Sequence, residues 1–508
     1  MGTILTFRNP SDEFEVIDGQ QRLVTFLLML RAFYRALENA QDDVSKNIRR
    51  KIEECIWKLD DDDRPDKTDI KLKYKVIADE EAAELKKILA TGAATPRNKS
   101  NYATNYRLFQ KWITDLNNDK PGYLSYLVRR ILNNVVLLPI EADNQNTALR
   151  IFTTLNDRGR PLSDSDIFKA QFYKFYLKQS SVAKDKFVQR WKDLAELCDK
   201  NFHPRKGTPV DDLFMRYMYY LFAKAEIRND TFPDMRDYYE RNNYAALRSG
   251  QTFDELELLA NFWDDVATRS EKFSPRVLRK LFVLNYAPYN IWTYVVSIYF
   301  LGNRELDEEK FFRFLDKITA MLLMHAIVNP GTQNIRRPFF KEFNNILHGR
   351  PIEFKDFKQS EKFIRERLSQ TRFSNQRAIT GSMSAWWTFS DEKQELPPLG
   401  TKLHLEHIYA KKRHENHPNE LSNPELLETL GNKSLLEERI NIGASDYRFA
   451  DKKIFYLGDG KSKQGTFNRE LQFLAENLDD FNEDEIVERN EEIFNAFIAY
   501  LGENNLLA

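Results

Sequence analysis

Apolar positions along this chain follow two spacings, and the switches between them outline its elements. Residues Phe14-Glu15-Val16-Ile17 read as a strand, and Leu23, Phe26, Leu27, Leu30, Tyr34 and Leu37 then fall on one face of a helix. From about Lys46 to Ile131 helical patterns alternate with polar interruptions. One of these is the acidic run Asp60 to Asp63, which lacks the glycine and spaced ligands of a calcium loop and reads as a solvated turn. Lys99 to Pro121 is polar, with Tyr102 and Trp112 as its expected anchors, and Val135-Val136-Leu137-Leu138-Pro139-Ile140 reads as a buried strand returning to the N-terminal domain. Between about Ser180 and Thr371 the spacing is almost wholly helical. Trp191, Phe214, Tyr217, Tyr220, Phe262, Trp263, Phe282, Trp292 and Phe312 belong to that pattern and are expected in a core rather than stacked on bases. The stretch 374–400, with Gly381, Ser382, Ser384, Pro397, Pro398 and Gly400, is turn-rich and predicts a boundary near residue 375. A last helix is predicted from about Glu483, capped by Asn482 with Glu485 and burying Ile486, Ile493, Phe494, Phe497 and Leu501.

At 508 residues the chain exceeds what one core organises and predicts two or three domains. Its 76 basic and 77 acidic side chains give a net charge of -1, so no global field draws it to a polyanion and any nucleic-acid surface must be a local patch. Mean hydropathy is -0.60, and the longest apolar run, near Ile291 to Leu301, is too short to span a bilayer. Cys55 and Cys198 stand far apart, which excludes a disulfide framework and a cysteine-rich zinc site and suits the cytoplasm. Met1-Gly2-Thr3-Ile4-Leu5 has no basic segment followed by an apolar one, as a secretion signal would.

Candidate chemistry concentrates near the C-terminus, in Leu403-His404-Leu405-Glu406-His407-Ile408, then Gly431-Asn432-Lys433-Ser434-Leu435-Leu436, then Asn441. A carboxylate beside an imidazole, followed by two carboxamides nine positions apart, suits a one-metal phosphodiesterase. His407 titrates near neutrality when unperturbed, as a general base for water must, and Glu406 and the Asn441 side chain offer oxygen to a hard cation. Magnesium or manganese suits such ligands better than zinc. A competing account uses the two His-x-x-His pairs, His404 with His407 and His414 with His417, as zinc ligands; strand alternation separates the first pair, and the second reads as an exposed basic loop beside Lys411, Lys412 and Arg413. Asp18-Gly19-Gln20-Gln21-Arg22 is a strand-to-helix turn with two readings. Either Asp18 caps the helix with Gln21 completing a capping box, or the helix start offers free N–H groups to a phosphate with Arg22 adding charge.

The C-terminal pattern resembles the HNH (ββα-metal) nuclease fold and the C-terminal domain of the GmrSD-type, modification-dependent (type IV) restriction enzymes. The resemblance implies His407 as base, Asn432 orienting it through a hydrogen bond, Glu406 and Asn441 as ligands of Mg²⁺ or Mn²⁺, and Lys452 and Lys453, in Phe449-Ala450-Asp451-Lys452-Lys453, as phosphate contacts. The chain departs from the family in carrying Tyr409-Ala410 where a proline is frequent. Asp18-Gly19-Gln20-Gln21-Arg22, followed by Leu23 and Thr25, is similar to the signature of the ParB-like N-terminal domain of the same family. That resemblance implies nucleoside triphosphate binding through Asp18, Gly19, Gln20, Gln21 and Arg22, and Ala148 to Ser163 is similar to a second element of that domain. Family members carry several dozen residues ahead of this motif, so either the start is truncated, or a separate polypeptide supplies the remainder, or nucleotide hydrolysis is lost; weak or absent NTPase activity is expected, with a homo-oligomer or that separate polypeptide as partner. The expectation is a cytoplasmic, predominantly helical α+β protein. It comprises a partial ParB-like domain over 1–175, a helical domain over 176–374 and a ββα-metal nuclease domain over 375–508, acting on DNA, modified phage DNA in particular. The alternatives are a catalytically silent nucleotide-sensing or DNA-binding module, and a nickase or RNase.

Overall fold

The computed structural model describes residues 2–9, 12–62, 64–73, 79–143, 147–148, 151, 163–204, 206–225, 233–330, 334–416, 420–445, 447–458 and 464–508. Asp63, His417 and most of the stretch from Ala148 to Ser163 lie outside these residues. The chain divides into two compact units, Met1–Leu162 and Ser163–Ala508.

The first unit is built on a three-stranded sheet in the order β2, β1, β5. β1 (Thr3–Arg8) pairs antiparallel with β2 (Phe14–Asp18) and parallel with β5 (Leu138–Ala142). β1 buries Ile4, Leu5 and Phe7. The predicted buried strand at Val135 is corrected in both start and environment. It begins at Leu138 on the sheet edge, and Val136 and Leu138 are 72% and 57% exposed, because an edge strand packed on one side cannot bury an unbroken apolar run.

Helix α1 (Gln20–Leu37) buries Leu27, Leu28, Leu30, Phe33, Tyr34 and Leu37 against α2 (Asp43–Ile56) and α4 (Asn101–Asp119). Leu23 and Phe26 instead line a cavity of about 400 Å³ that also touches α5 (Tyr123–Asn134) through Ile131 and Leu132. The acidic run is the turn between β3 (Trp57–Leu59) and β4 (Pro65–Ile70), closed by Asp60 Oδ1 accepting from the amides of Asp62 and Arg64 at 3.0 and 2.8 Å. Trp112 meets Phe33 edge-on but stays 44% exposed, a weaker anchor than expected.

The second unit is helical through its middle, with long helices over Ser181–Asn201, Pro209–Lys224, Gly250–Ala267, Ile291–Gly302 and Glu308–Val328. Seven of the nine singled-out aromatics are buried, and Phe282 and Phe312 pack half-buried against the same core. The turn-rich reading of 374–400 is corrected at its centre, where Ala378–Thr388 is a helix burying Ile379, Met383, Ala385 and Trp386. Ser382 and Ser384 are buried in this helix rather than placed in turns. β6 (Leu403–His407) and β7 (Lys433–Glu437) pair antiparallel, with Glu406 opposite Ser434 and His407 opposite Lys433. A short helix, Glu438–Ala444, leaves β7 directly. The last helix, Glu483–Glu503, has the Asn482/Glu485 capping box and the buried face its sequence predicts. β7 is a wall between two cores: Leu435 joins the large helical core, and Leu436 joins a smaller one with Ile408, Tyr409, Phe449, Tyr456 and Ile486.

Candidate functional site

Register decides where each side chain of β6 goes. Successive residues leave a strand on opposite faces, so Glu406 and Leu436 face the small core while His407 and Lys433 face the other way. Glu406 is 5% exposed. Its Oε1 accepts from the Lys452 ammonium and, at 3.0 Å, from the Tyr456 hydroxyl. Burial, then the Glu406 charge, pushes that hydroxyl well above its ordinary range, so it stays a neutral donor. Lys452 also donates to the carbonyl of His407 at 2.7 Å. Lys452 is therefore an internal clamp on the end of β6 rather than the phosphate contact its sequence position implied. Lys453 turns away and donates to the Leu478 carbonyl at 2.7 Å, closing the end of the helix Arg469–Asn477.

On the opposite face the His407 ring meets a small polar cluster. Its Nε2 contacts the Lys433 ammonium and lies 3.7 Å from Glu428 Oε1. Lys433, with its side chain fully buried, donates to Glu428 Oε2 and Asn375 Oδ1, both at 2.9 Å. Burial, reinforced by the Lys433 charge, lowers His407 to about 4, which keeps the imidazole neutral at pH 7. Burial also lowers Lys433 to about 8. The burial of Glu428 would raise its carboxyl, but its hydrogen bond from Lys433 outweighs this and holds it below the usual range. Lys433 and Glu428 set the tautomer of His407 between them. A proton donated by Lys433 to Nε2 leaves hydrogen on Nδ1, whereas Nε2–H directed at Glu428 leaves Nδ1 open as a base.

Asn432 is fully buried, and its amide does not reach the imidazole. Its Oδ1 accepts from the Tyr409 amide at 2.7 Å, and its Nδ2 donates to the carbonyls of Tyr409 and Leu427 at 3.1 and 3.3 Å. It thus fixes the chain just beyond His407 rather than the ring. Gly431 is there because the last helix passes so close that a Cβ would sit 2.0 Å from the Ile486 carbonyl oxygen. Arg489 from that helix donates to the carbonyls of Leu430, Gly431 and Lys433 at 2.8–2.9 Å, locking the turn. Asn441 lies half-buried on Glu438–Ala444, and its amide makes no hydrogen bond among the described residues. The basic stretch after His407 is the short helix Lys411–Asn416, in which Arg413 is buried and paired with Asp480 at 2.7 and 2.8 Å and with Glu420.

At the N-terminal motif the capping box is corrected. The N-cap is Gly19, left-handed at φ 93°, with no side-chain cap. A Cβ there would meet Ile4 Cδ1 at 2.4 Å. Asp18 instead accepts from Arg22 at 3.0 Å, Arg22 also donates to the Thr3 carbonyl, and the Gln20 amide donates to the Val16 carbonyl at 2.7 Å. Gln21 is exposed.

The order of these elements agrees with the comparisons to known families. Residues 1–173 match the GmrSD restriction endonuclease N-terminal domain, and residues 338–496 match the GmrSD restriction endonuclease C-terminal domain. The chain belongs to the GmrSD restriction endonuclease family. No curated protein matches it. As a GmrSD protein it is a nuclease that acts on DNA, and among its described residues no helix is long and apolar enough to cross a membrane.

A resident divalent cation, as the family pattern implies, does not fit this donor set as arranged. The Glu406 oxygen that would take it already carries an ammonium, His407 leaves the strand on the other face, and no group of three His, Cys, Asp or Glu among the described residues could hold a metal. The zinc alternative draws on His417, which lies outside the described residues. Sequence reasoning missed Lys433, Glu428 and Asn375 in this GmrSD site. Only Lys433 was reachable, as a charge inside the otherwise apolar run after Asn432.

Proposed function

We propose that this chain cuts DNA at the face of the β6–β7 hairpin that carries His407, in a centre of the HNH type. The observation that carries the reading is the half-buried imidazole at the end of a strand, kept neutral by its surroundings and held by Lys433 and Glu428. The Lys433 ammonium must first release Nε2; with Nε2–H then turned to Glu428, Nδ1 takes a proton from water. The hydroxide forms the new P–O bond as the bond to the departing sugar oxygen breaks, and that oxygen takes a proton from solvent. Lys433 and the exposed Arg372, whose charge is felt by both Lys433 and Glu428, supply positive potential for the phosphate. Asn432 acts earlier, by holding the chain after His407 so that the ring stays in place.

The test is His407→Ala on plasmid and on modified phage DNA, each with Mg²⁺, with Mn²⁺ and in excess EDTA. Loss of at least about a hundredfold in cutting is expected for a lost general base. Cutting at the wild-type rate would remove His407 from the chemistry. Cutting by the unmodified protein that stops in EDTA would show that Glu406 or Asn441 rearranges to take a cation. Nucleotide binding at the start of α1 is a second reading, favoured by one observation: the first-turn N–H groups there have no side-chain cap and so remain available to a phosphate. Titration with GTP, ATP or CTP, comparing Gln21→Glu with the unmodified protein, tests it. A charge-repelled anion weakens at least severalfold, and equal affinity removes the reading.

A further inference from the structure

We infer that the exposed face of α5 is a DNA-docking surface, separate from the cutting centre. Tyr123 and Tyr126 are 42% and 49% exposed, with ring centroids 5.3 Å apart. Lys120 Nζ lies 5.9 Å from the Tyr123 ring and the Arg130 guanidinium 5.4 Å from that of Tyr126. Arg129 continues the same exposed surface. Lys120, Arg129 and Arg130 form no ion pair with any described residue, and no Asp or Glu occurs between Lys120 and Ile140. In a chain whose charges otherwise balance almost one to one, that is a local excess of positive charge.

The opposite face of α5 is used internally, with Leu124 and Val128 buried and Ile131 and Leu132 lining the apolar cavity. The tyrosines are therefore not core residues displaced outward. Folding leaves them about half exposed, in contact with each other and with the two cations rather than with the core. Cations without carboxylate partners, interleaved with half-exposed tyrosine rings, match the chemistry of a DNA strand: guanidinium and ammonium groups meet phosphates, and tyrosine rings stack on sugars and unpaired bases. A protein partner would need carboxylates to match the same cations, and a lipid surface would need a longer apolar face than two rings provide.

The inference takes its substrate from the DNA-cutting reading, but its test does not depend on cutting. Binding of a fluorescent duplex and of a single strand would be measured by anisotropy across a salt series, on the full chain carrying His407→Ala. In the Arg129→Gln/Arg130→Gln variant the slope of log affinity against log salt should fall by about 1.8 on duplex, the loss of two phosphate contacts. Tyr123→Ala and Tyr126→Ala should each weaken single-strand binding about tenfold. All four positions are exposed, so melting temperature should not move. The arginine pair suffices if a tyrosine variant misfolds. Unchanged slope and affinity would overturn the inference. So would a change in sedimentation showing that the face joins two copies, or retention on anionic vesicles that exceeds binding to DNA. If His407→Ala still cuts while the slope falls, the proposed centre fails and the docking surface stands.

Discussion

Replacing Lys452 by Met isolates the least expected contact in the hairpin. The Lys452 and Glu406 side chains are 1% and 6% exposed, so removing the ammonium strands a carboxylate inside the small core, with the Tyr456 hydroxyl as a neutral donor beside it. Breaking a buried pair in this way costs about 3–5 kcal/mol. For a unit of this size that lowers the melting temperature by about 5 °C. Glu406→Gln alone should cost a similar amount, because the buried ammonium then loses its countercharge and keeps only neutral acceptors. The double variant, Glu406→Gln with Lys452→Met, removes both charges and should return to within about 1–2 kcal/mol of the unmodified protein, since the Gln carbonyl can still accept from Tyr456. Urea denaturation followed by circular dichroism reads all three. A Lys452→Met protein as stable as the original, or a double variant as unstable as the sum of the singles, would refute the buried pair. Cutting by the double variant decides the role of the carboxylate: activity should return with stability, and a well-folded but inactive double variant would place Glu406 in the chemistry.

Three further outcomes can be measured. Gly431→Ala drives a Cβ against the Ile486 carbonyl and should cost about 3 kcal/mol with a fall in cutting, as the turn carrying Asn432 is displaced. Gly381→Ala, where the nearest atom is 3.8 Å away on Tyr286, should be neutral or slightly stabilising in the same urea experiment. The depressed imidazole predicts a pH dependence with a definite sign. Between about 4 and 6.5 the unfolded chain takes up a proton at His407 that the folded chain refuses, so stability falls as pH drops through that window. His407→Asn should flatten the dependence there by up to about 3 kcal/mol, and a curve parallel to that of the unmodified protein would show that the ring is not held neutral.

Periodicity revealed the helices because a helical stripe is a local property. α1, the aromatic helices of the middle and the capped last helix stand where their spacing puts them. It failed where neighbours in space decide. Ala378–Thr388 has the composition of a turn and the environment of a core helix, and Val136 and Leu138 look buried but lie at a sheet edge. Within the site, motif reading found His407 and the turn at Gly431-Asn432. It did not find their partners, because Glu428, at the end of the 3-10 helix Pro424–Glu428, and Asn375, in a turn, come from separate segments and carry no pattern of their own.

The division between holding and reacting groups in the hairpin follows from strand parity. The small core closes over the face of β6 that carries Glu406, and a carboxylate enclosed there needs an internal cation, which Lys452 provides together with a bond to the His407 carbonyl. That bond and the Asn432 clamp on Tyr409 fix the backbone on both sides of Ile408. On the other face Leu435 joins the helical core, but at the His407 end the ring is bordered by the polar side chains of Lys433, Glu428 and Asn375 and keeps 18% of its side chain exposed, while its backbone is held. A rigid chain under an accessible imidazole meets the positional demand of general-base chemistry, in which small displacements of the reacting atoms cost large factors in rate. The buried ion pair on the Glu406 face is thus what would hold His407 in place for the proposed chemistry.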